Sequence, residues 1–203
     1  MIHPTSVIEE GAIIGNNVTI GPFCYITKYV TIEDNCVISS YVSLGAEAQS
    51  KEPMSENGRV VIGSGTIIKE FVTIHRPCKE ITKIGRNCLI MSTTHIAHDC
   101  ILGDNVVLTT CSGISGYCVV GDNTVISSGC HIHQNSKIGK YCMFGSLTFF
   151  KGESPDGITW IGSRDNKALP LKINKVGIER ANIAEDYKKE IMEAAEDYMR
   201  SLK

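Results

Sequence analysis

Residues 84–120 read IGRNCL IMSTTH IAHDCI LGDNVV LTTCSG ISGYCV V, and the first residue of every group of six is aliphatic: Ile84, Ile90, Ile96, Leu102, Leu108, Ile114 and Val120. The count continues through Ile126, Ile132, Ile138 and Phe144. Upstream the same period appears twice more, as Ile62, Ile68 and Ile74, and from Ile2 through Ile8, Ile14, Ile20, Ile26, Ile32 and Ile38 to Leu44. Self-similarity at a fixed short period marks a repeat architecture, here a hexapeptide repeat.

Four residues after each aliphatic stands a small side chain, as at Ala12, Val18, Cys24, Val30, Cys36, Thr66, Val72, Cys88, Thr94, Cys100, Val106, Ser112, Cys118 and Thr124. Two inward residues in six suit a short strand followed by a tight corner. Glycine follows the aliphatic at Gly15, Gly21, Gly63, Gly85, Gly103, Gly121, Gly139 and Gly145, beside Asn and Asp, which suggests corners with unusual backbone angles. Three strands and three corners make a triangular coil of 18 residues. Stacked coils give a mainly β protein, a parallel β-helix in which each strand pairs with those about 4.8 Å above and below.

Composition narrows the function classes. With 203 residues one extended core is feasible, and a net charge of −2 argues against a nucleic-acid binder. Of nine cysteines, eight (Cys24, Cys36, Cys78, Cys88, Cys100, Cys118, Cys130 and Cys142) fall in the small inward slot, where they read as buried reduced thiols rather than disulfides or metal ligands. The first hexad begins at Ile2, so no secretory leader is expected, and no apolar run approaches the roughly 20 residues that span a membrane.

The departures from the repeat are informative. Residues 45–61 put Ser50 and Glu56 where aliphatics belong and should leave the helix as a loop. Four further residues, Glu80 to Lys83, interrupt the count before Ile84. After Phe144 the repeat fades, and Phe149, Phe150 and Trp160 should cover the open end of the stack, which would otherwise present unpaired strand edges. Helical spacing of Ile183, Tyr187, Ile191, Ala194, Tyr198 and Leu202 predicts a helix over about 182–202. The chain therefore divides into a β-helix domain, 1–150, and a C-terminal extension, 151–203.

The coil length serves as a ruler. Adding 18 to His98 reaches Gly116 and then Gln134, and stepping back across the four-residue insertion reaches Arg76. Adjacent columns hold His75, Ala97, Ser115 and His133, and His95, Gly113 and His131. Five of the six histidines thus gather on neighbouring faces and corners of three successive coils, within about 10 Å along the axis. Any one of them could be a solvated polar position on an outer face; five together suggest a site.

The segment His95-Ile96-Ala97-His98-Asp99-Cys100, with Val72-Thr73-Ile74-His75-Arg76 and His133-Gln134, resembles the bacterial UDP-N-acetylglucosamine O-acyltransferases that begin lipid A synthesis, and the similarity runs from Ile2 to about Arg180. The resemblance implies a left-handed β-helix and a homotrimer. It also implies His98 as general base, Asp99 as the carboxylate that orients it, and the backbone N–H of Gly116 as the oxyanion donor. His95, His133, Gln134, Gln49, Arg76, Asn174 and Arg180 match substrate-contacting stretches. Imidazole suits proton transfer near neutrality, and a glycine N–H aimed at a developing oxyanion strengthens as charge builds. Cys100, in an inward slot, is not expected to act as a nucleophile.

Three positions depart from the family pattern: Ser50 stands where an acidic contact follows Gln49, Tyr117 replaces a histidine beside the oxyanion glycine, and Val176 replaces a glutamate. A sugar recognised through both acidic contacts would then be a poor acceptor. Lys69, Arg76, Lys79, Lys83 and Arg86 could dock an acidic acyl carrier protein or hold the phosphates of a coenzyme A thioester. No bound cofactor is expected and the enzyme should be cytoplasmic. Two other readings stay open. One is a zinc carbonic anhydrase of the hexapeptide class, using His95, His98, His131 and His133; the other is a noncatalytic β-helix scaffold.

Overall fold

The computed structural model describes residues 1–162 and 168–202; residues 163–167 and 203 of the C-terminal extension lie outside the described residues. Three sheets enclose one apolar interior, two of eight strands and one of nine. The first sheet starts at Val7–Ile8, the second at Ile13–Ile14 and the third at Thr19–Ile20, and the chain visits them in that order in every coil. Each strand pairs in parallel with its counterpart one coil on, so Ile96 lies opposite Ile114 and Ile114 opposite Ile132, the 18-residue offset read from the repeat. Most strands are only two residues long because a corner follows every six.

The aliphatic positions form the core. Ile26, Ile32, Leu44, Ile62, Ile96 and Ile114 are fully buried, each such side chain contributing about 1.5–3 kcal/mol relative to exposure. The small slots do more than fill space. Cys100 Sγ donates to Ser115 O (3.1 Å), Cys118 Sγ to His133 O (3.1 Å) and Thr66 Oγ1 to Gly85 O (2.9 Å). A small side chain with a donor therefore satisfies corner carbonyls that the short ladders leave over, which buried polar groups require. All eight cysteines expected inward are buried, but only seven lie in the core: Cys78 instead faces Ser50, His98 and Asp99 beside the excursion, and Cys111 is exposed.

The corner glycines have a different role from the one their position suggested. The glycines named above do not take positive φ; that conformation falls later in the corner, at Asn17, Asn87, Asn105, Asp99 and Tyr117, and Gly45 after Leu44 (φ 77°) is an exception. Gly85 is instead required by the approach of the next coil, since a Cβ there would lie 2.2 Å from Gly103 O. At the corner between the second and third sheets, the amide preceding the left-handed residue is capped by an aspartate of the next coil, as in Arg86 N to Asp104 (2.8 Å) and Asp104 N to Asp122 (2.9 Å).

The interruptions are shorter than the sequence suggested. Strands Ser43–Ala46 and Arg59–Ile62 take up both ends of the segment 45–61, leaving residues 47–58 as the excursion. Residues 81–83 are not a loop either: they belong to strand Ile81–Ile84, paired along its length with Arg59–Ile62, and the extra residues are absorbed at the corner before it. Matching four-residue strands gain more ladder bonds than a looped insertion would.

At the far end Phe144, Phe150 and Trp160 are buried, but Phe149 points outward, because successive strand residues face opposite sides. Trp160 Nε1 donates to Ser154 Oγ at 2.7 Å. The extension adds a strand, Ala168–Ile173, antiparallel to Ile158–Gly162, then α1 (Lys175–Arg180) and α2 (Glu185–Ser201). Ala195 and Tyr198 of α2 pack onto the core at this end. Among the described residues no helix is long and apolar enough to cross a membrane.

Candidate active site

The corner between the first and second sheets carries the site. His98 and Asp99 follow strand His95–Ile96, Gly116 and Tyr117 follow Gly113–Ile114 one coil on, and His133 and Gln134 follow His131–Ile132. Asp99 sits in the left-handed region (φ 56°), which short polar side chains tolerate. Its backbone N–H donates to Thr82 Oγ1 at 2.9 Å. Its carboxylate accepts from Cys78 N (2.8 Å), Lys79 N (3.0 Å) and His98 Nδ1 (2.9 Å). Two fixed amides thus hold the carboxylate, and the carboxylate holds the imidazole with Nδ1–H donating. Nε2 is left as the proton acceptor.

Gly116 lies against the open edge of that ring. A Cβ at Gly116 would stand 2.8 Å from both Cε1 and Nε2 of His98, so only glycine fits without moving the imidazole. Its N–H occupies the corner position that aspartates cap elsewhere, yet it has no acceptor among the described residues. The next-coil residue that would have to cap it is Gln134 rather than an aspartate. Tyr117 (φ 62°) stands edge-on to His98, ring centroids 5.0 Å apart.

His95 Nδ1 bonds to Thr73 Oγ1 at 2.8 Å, and its ring meets His75 edge to face at 4.8 Å. His75 is buried, its Nδ1 has no partner among the described residues, and burial together with the nearby His95 and His98 brings its pKa down to about 4. Burial and His98 also lower that of His95. The pairing of strand Thr73–His75 with Ser43–Ala46 shifts after Ile74, where Gly45 is passed over so that His75 lies opposite Ala46. Arg76 is buried as well, its guanidinium 3.9 Å from the Tyr29 ring centre and Nη2 donating to Ser55 O at 3.1 Å. His131 faces outward beside Gly113, and His133 packs edge-on against Phe149.

The excursion 47–58 folds back over this corner. Gln49 is its third residue; Ser50 accepts a hydrogen bond from Glu52 N (3.1 Å) and sits beside the Cys78 thiol, whose pKa burial raises. Ser50 brings no carboxylate, but Glu52 does, accepting from Tyr117 Oη at 2.5 Å. Sequence spacing missed Glu52 because an excursion has no column, and missed Thr82 because residues 80–83 read as an insertion although strand Ile81–Ile84 keeps the 18-residue register with Ile101. Thr73 could have been found, lying 22 residues before His95.

Two expected groups are scattered. Asn174, Val176 and Arg180 lie with α1 near Tyr141, at the corner between the second and third sheets, and one chain does not bring them to His98. Both ends of the Asn174 amide are engaged, with Tyr141 O (2.8 Å) and Gly177 N (3.2 Å). They line a cavity of about 1230 Å³ between the third sheet and the helices. Of the basic residues, Arg76 and Lys79 share the site's corner, Lys83 is on the adjoining second sheet, Arg86 pairs with Asp104 (3.0 Å), and Lys69 follows the third sheet beside Glu70 (3.9 Å).

Among the described residues one group of three brings possible metal-ligating atoms together, Cys78, His98 and Asp99, within 4.8 Å. It suits a cation poorly, since Asp99 is already engaged by two amides and an imidazole, and the Cys78 thiol resists ionisation. His95, His131 and His133 do not join it.

A family model for bacterial transferase hexapeptides (six repeats) matches residues 1–28, 11–46, 81–116 and 117–152. Among solved structures, UDP-N-acetylglucosamine acyltransferase from Campylobacter jejuni is 32% identical over 96% of this chain and 82% of its own, with a TM-score of 0.76. LpxA from Acinetobacter baumannii is 29% identical over 95% and 82% (TM-score 0.82), and LpxA from Bacteroides fragilis, a UDP-N-acetylglucosamine acyltransferase, 29% identical over 96% and 83% (TM-score 0.80). With a six-residue repeat, a fold and an aligned length in common, the chain belongs to the LpxA-like acyltransferases of the hexapeptide-repeat family.

Proposed function

We propose that this chain transfers an acyl group from a thioester, carried by acyl carrier protein or coenzyme A, to a hydroxyl or amine of a nucleotide sugar, with His98 as general base. The observation that carries this reading is the conjunction at one corner: His98 oriented by Asp99, with an uncapped Gly116 N–H one coil away. Nε2 takes the proton as the acceptor attacks the thioester carbonyl. The oxyanion is received by the Gly116 N–H, and its collapse expels the thiolate, to which the imidazolium returns the proton. A positioned base is worth about 10²–10⁴-fold and one oxyanion donor about 10²–10³-fold.

The relatives named UDP-N-acetylglucosamine acyltransferases support a nucleotide-sugar acceptor and, with it, a cytoplasmic role in lipid A-type chemistry. A homotrimer belongs to the same proposal: the family resemblance implies it, and it is supported by the separation of Asn174 and Arg180 from His98, which a neighbouring copy would remove. The test is mass spectrometry of products from acyl-carrier-protein and acyl-CoA donors with nucleotide-sugar acceptors. An acylated sugar formed only with intact His98 is the expected result. No product across the panel would instead favour a noncatalytic scaffold.

A further inference from the structure

Tyr117 and Glu52 are joined across 65 residues of sequence by a 2.5 Å hydrogen bond. Tyr117 follows Gly116 directly, its backbone N–H donates to His98 O at 3.1 Å, and its ring forms a wall beside the imidazole. The bond to Glu52, reinforced by burial, raises the phenol pKa, so the proton stays on the tyrosine and the carboxylate is the acceptor. Lys79 Nζ lies over the tyrosine ring, 4.6 Å from its centre. Oε1 of Glu52 has no partner among the described residues.

An exposed glutamate on a twelve-residue excursion would ordinarily sweep a wide volume, and fixing it costs side-chain entropy. Here the excursion is tied down at three places. Besides Tyr117, Arg76 Nη2 holds Ser55 O at 3.1 Å, and Gly58 approaches Pro77 so closely that a Cβ would meet its ring at 2.7 Å. Each tie ends on the corner that carries His98. The result is a carboxylate preset at the mouth of the site with one oxygen unused.

We propose that Glu52, positioned by Tyr117, is a specificity-determining residue whose free carboxylate oxygen accepts a hydrogen bond from an O–H or N–H of the acceptor sugar. Tyr117 is the positioning residue and acts through Glu52. The inference rests on acyl transfer to a nucleotide sugar for the identity of the acceptor, but equilibrium binding tests it without turnover.

Calorimetric titration with UDP-N-acetylglucosamine, in the absence of donor, would compare the wild-type chain with E52Q, Y117F and the double variant. E52Q and Y117F should each weaken binding about tenfold, the loss of a hydrogen bond to a charged group. The double variant should bind no more than about twofold worse than E52Q, since both changes remove one contact. In turnover the acceptor KM should rise with kcat and donor KM held within about twofold. Unchanged affinity in E52Q, multiplied losses in the double variant, or no binding by the wild-type chain would overturn the proposal. His98→Ala judges the acyl-transfer reading separately, because it should retain acceptor binding while losing turnover.

Discussion

Gly116→Ala should disable the enzyme without removing any functional group. The new Cβ would lie 2.8 Å from His98 Cε1 and Nε2 and 3.4 Å from Cδ2, against an ordinary contact of about 3.5–4.0 Å. The imidazole must retreat by about 0.7–1.2 Å, but Asp99 holds it at 2.9 Å and Tyr117 stands on its flank. A displacement of that size in a reacting group costs on the order of 10²-fold in rate, and overpacking costs about 1–3 kcal/mol of stability. Gly113→Ala is the control. Its Cβ would intrude to 2.7 Å from Nδ1 of His131, an exposed side chain free to swing outward, so stability should change by less than about 0.5 kcal/mol and rate by only a few-fold. Steady-state rates and urea unfolding of both variants decide the matter. Gly116→Ala with a third or more of wild-type activity, or equal behaviour of the two variants, would refute the placement of Gly116 against the base.

His98→Ala should abolish transfer while lowering stability by about 1 kcal/mol or less; more than about a tenth of the activity remaining would remove His98 from the role. A thiol reagent should label exposed Cys111 at once and the eight buried cysteines slowly, with Cys88, whose pKa burial lifts to about 11, among the slow ones; activity should survive EDTA. Fast labelling of several sites, or loss of activity on chelation, would contradict the packing described. His75 is neutral in the fold, with a pKa of about 4 against 6.5 unfolded, so the unfolded chain binds its proton first and stability should fall as pH drops through that window. Denaturation midpoints from pH 7 to 4.5 should therefore decline less steeply for His75→Phe than for wild type; identical slopes would place the acid sensitivity elsewhere.

Period and spacing determine much of this molecule. An aliphatic every six residues selects strands too short for any sheet except one built by stacking, and the 18-residue coil puts His98, Gly116 and Gln134 in one column before any coordinates exist. That column was legible because the register of a repeat is set by its own buried face. The inward cysteines were legible for the same reason. What the period could not reach lies where it breaks. His75 is buried beside the point where the strand register breaks after Ile74, and the excursion 47–58 returns to the corner through contacts such as Tyr117–Glu52 that have no sequence spacing. The third corner accepts Phe23, Tyr41 and Phe71 at positive φ, where only glycine or asparagine would be expected. Their rings stack 5.1 Å apart in one ladder, an arrangement that appears only when successive coils are in place. Local rules thus set the strands and the columns. Tertiary structure decided which groups at the irregular corner are buried, paired or left open, because those outcomes depend on contacts between residues that the repeat does not relate.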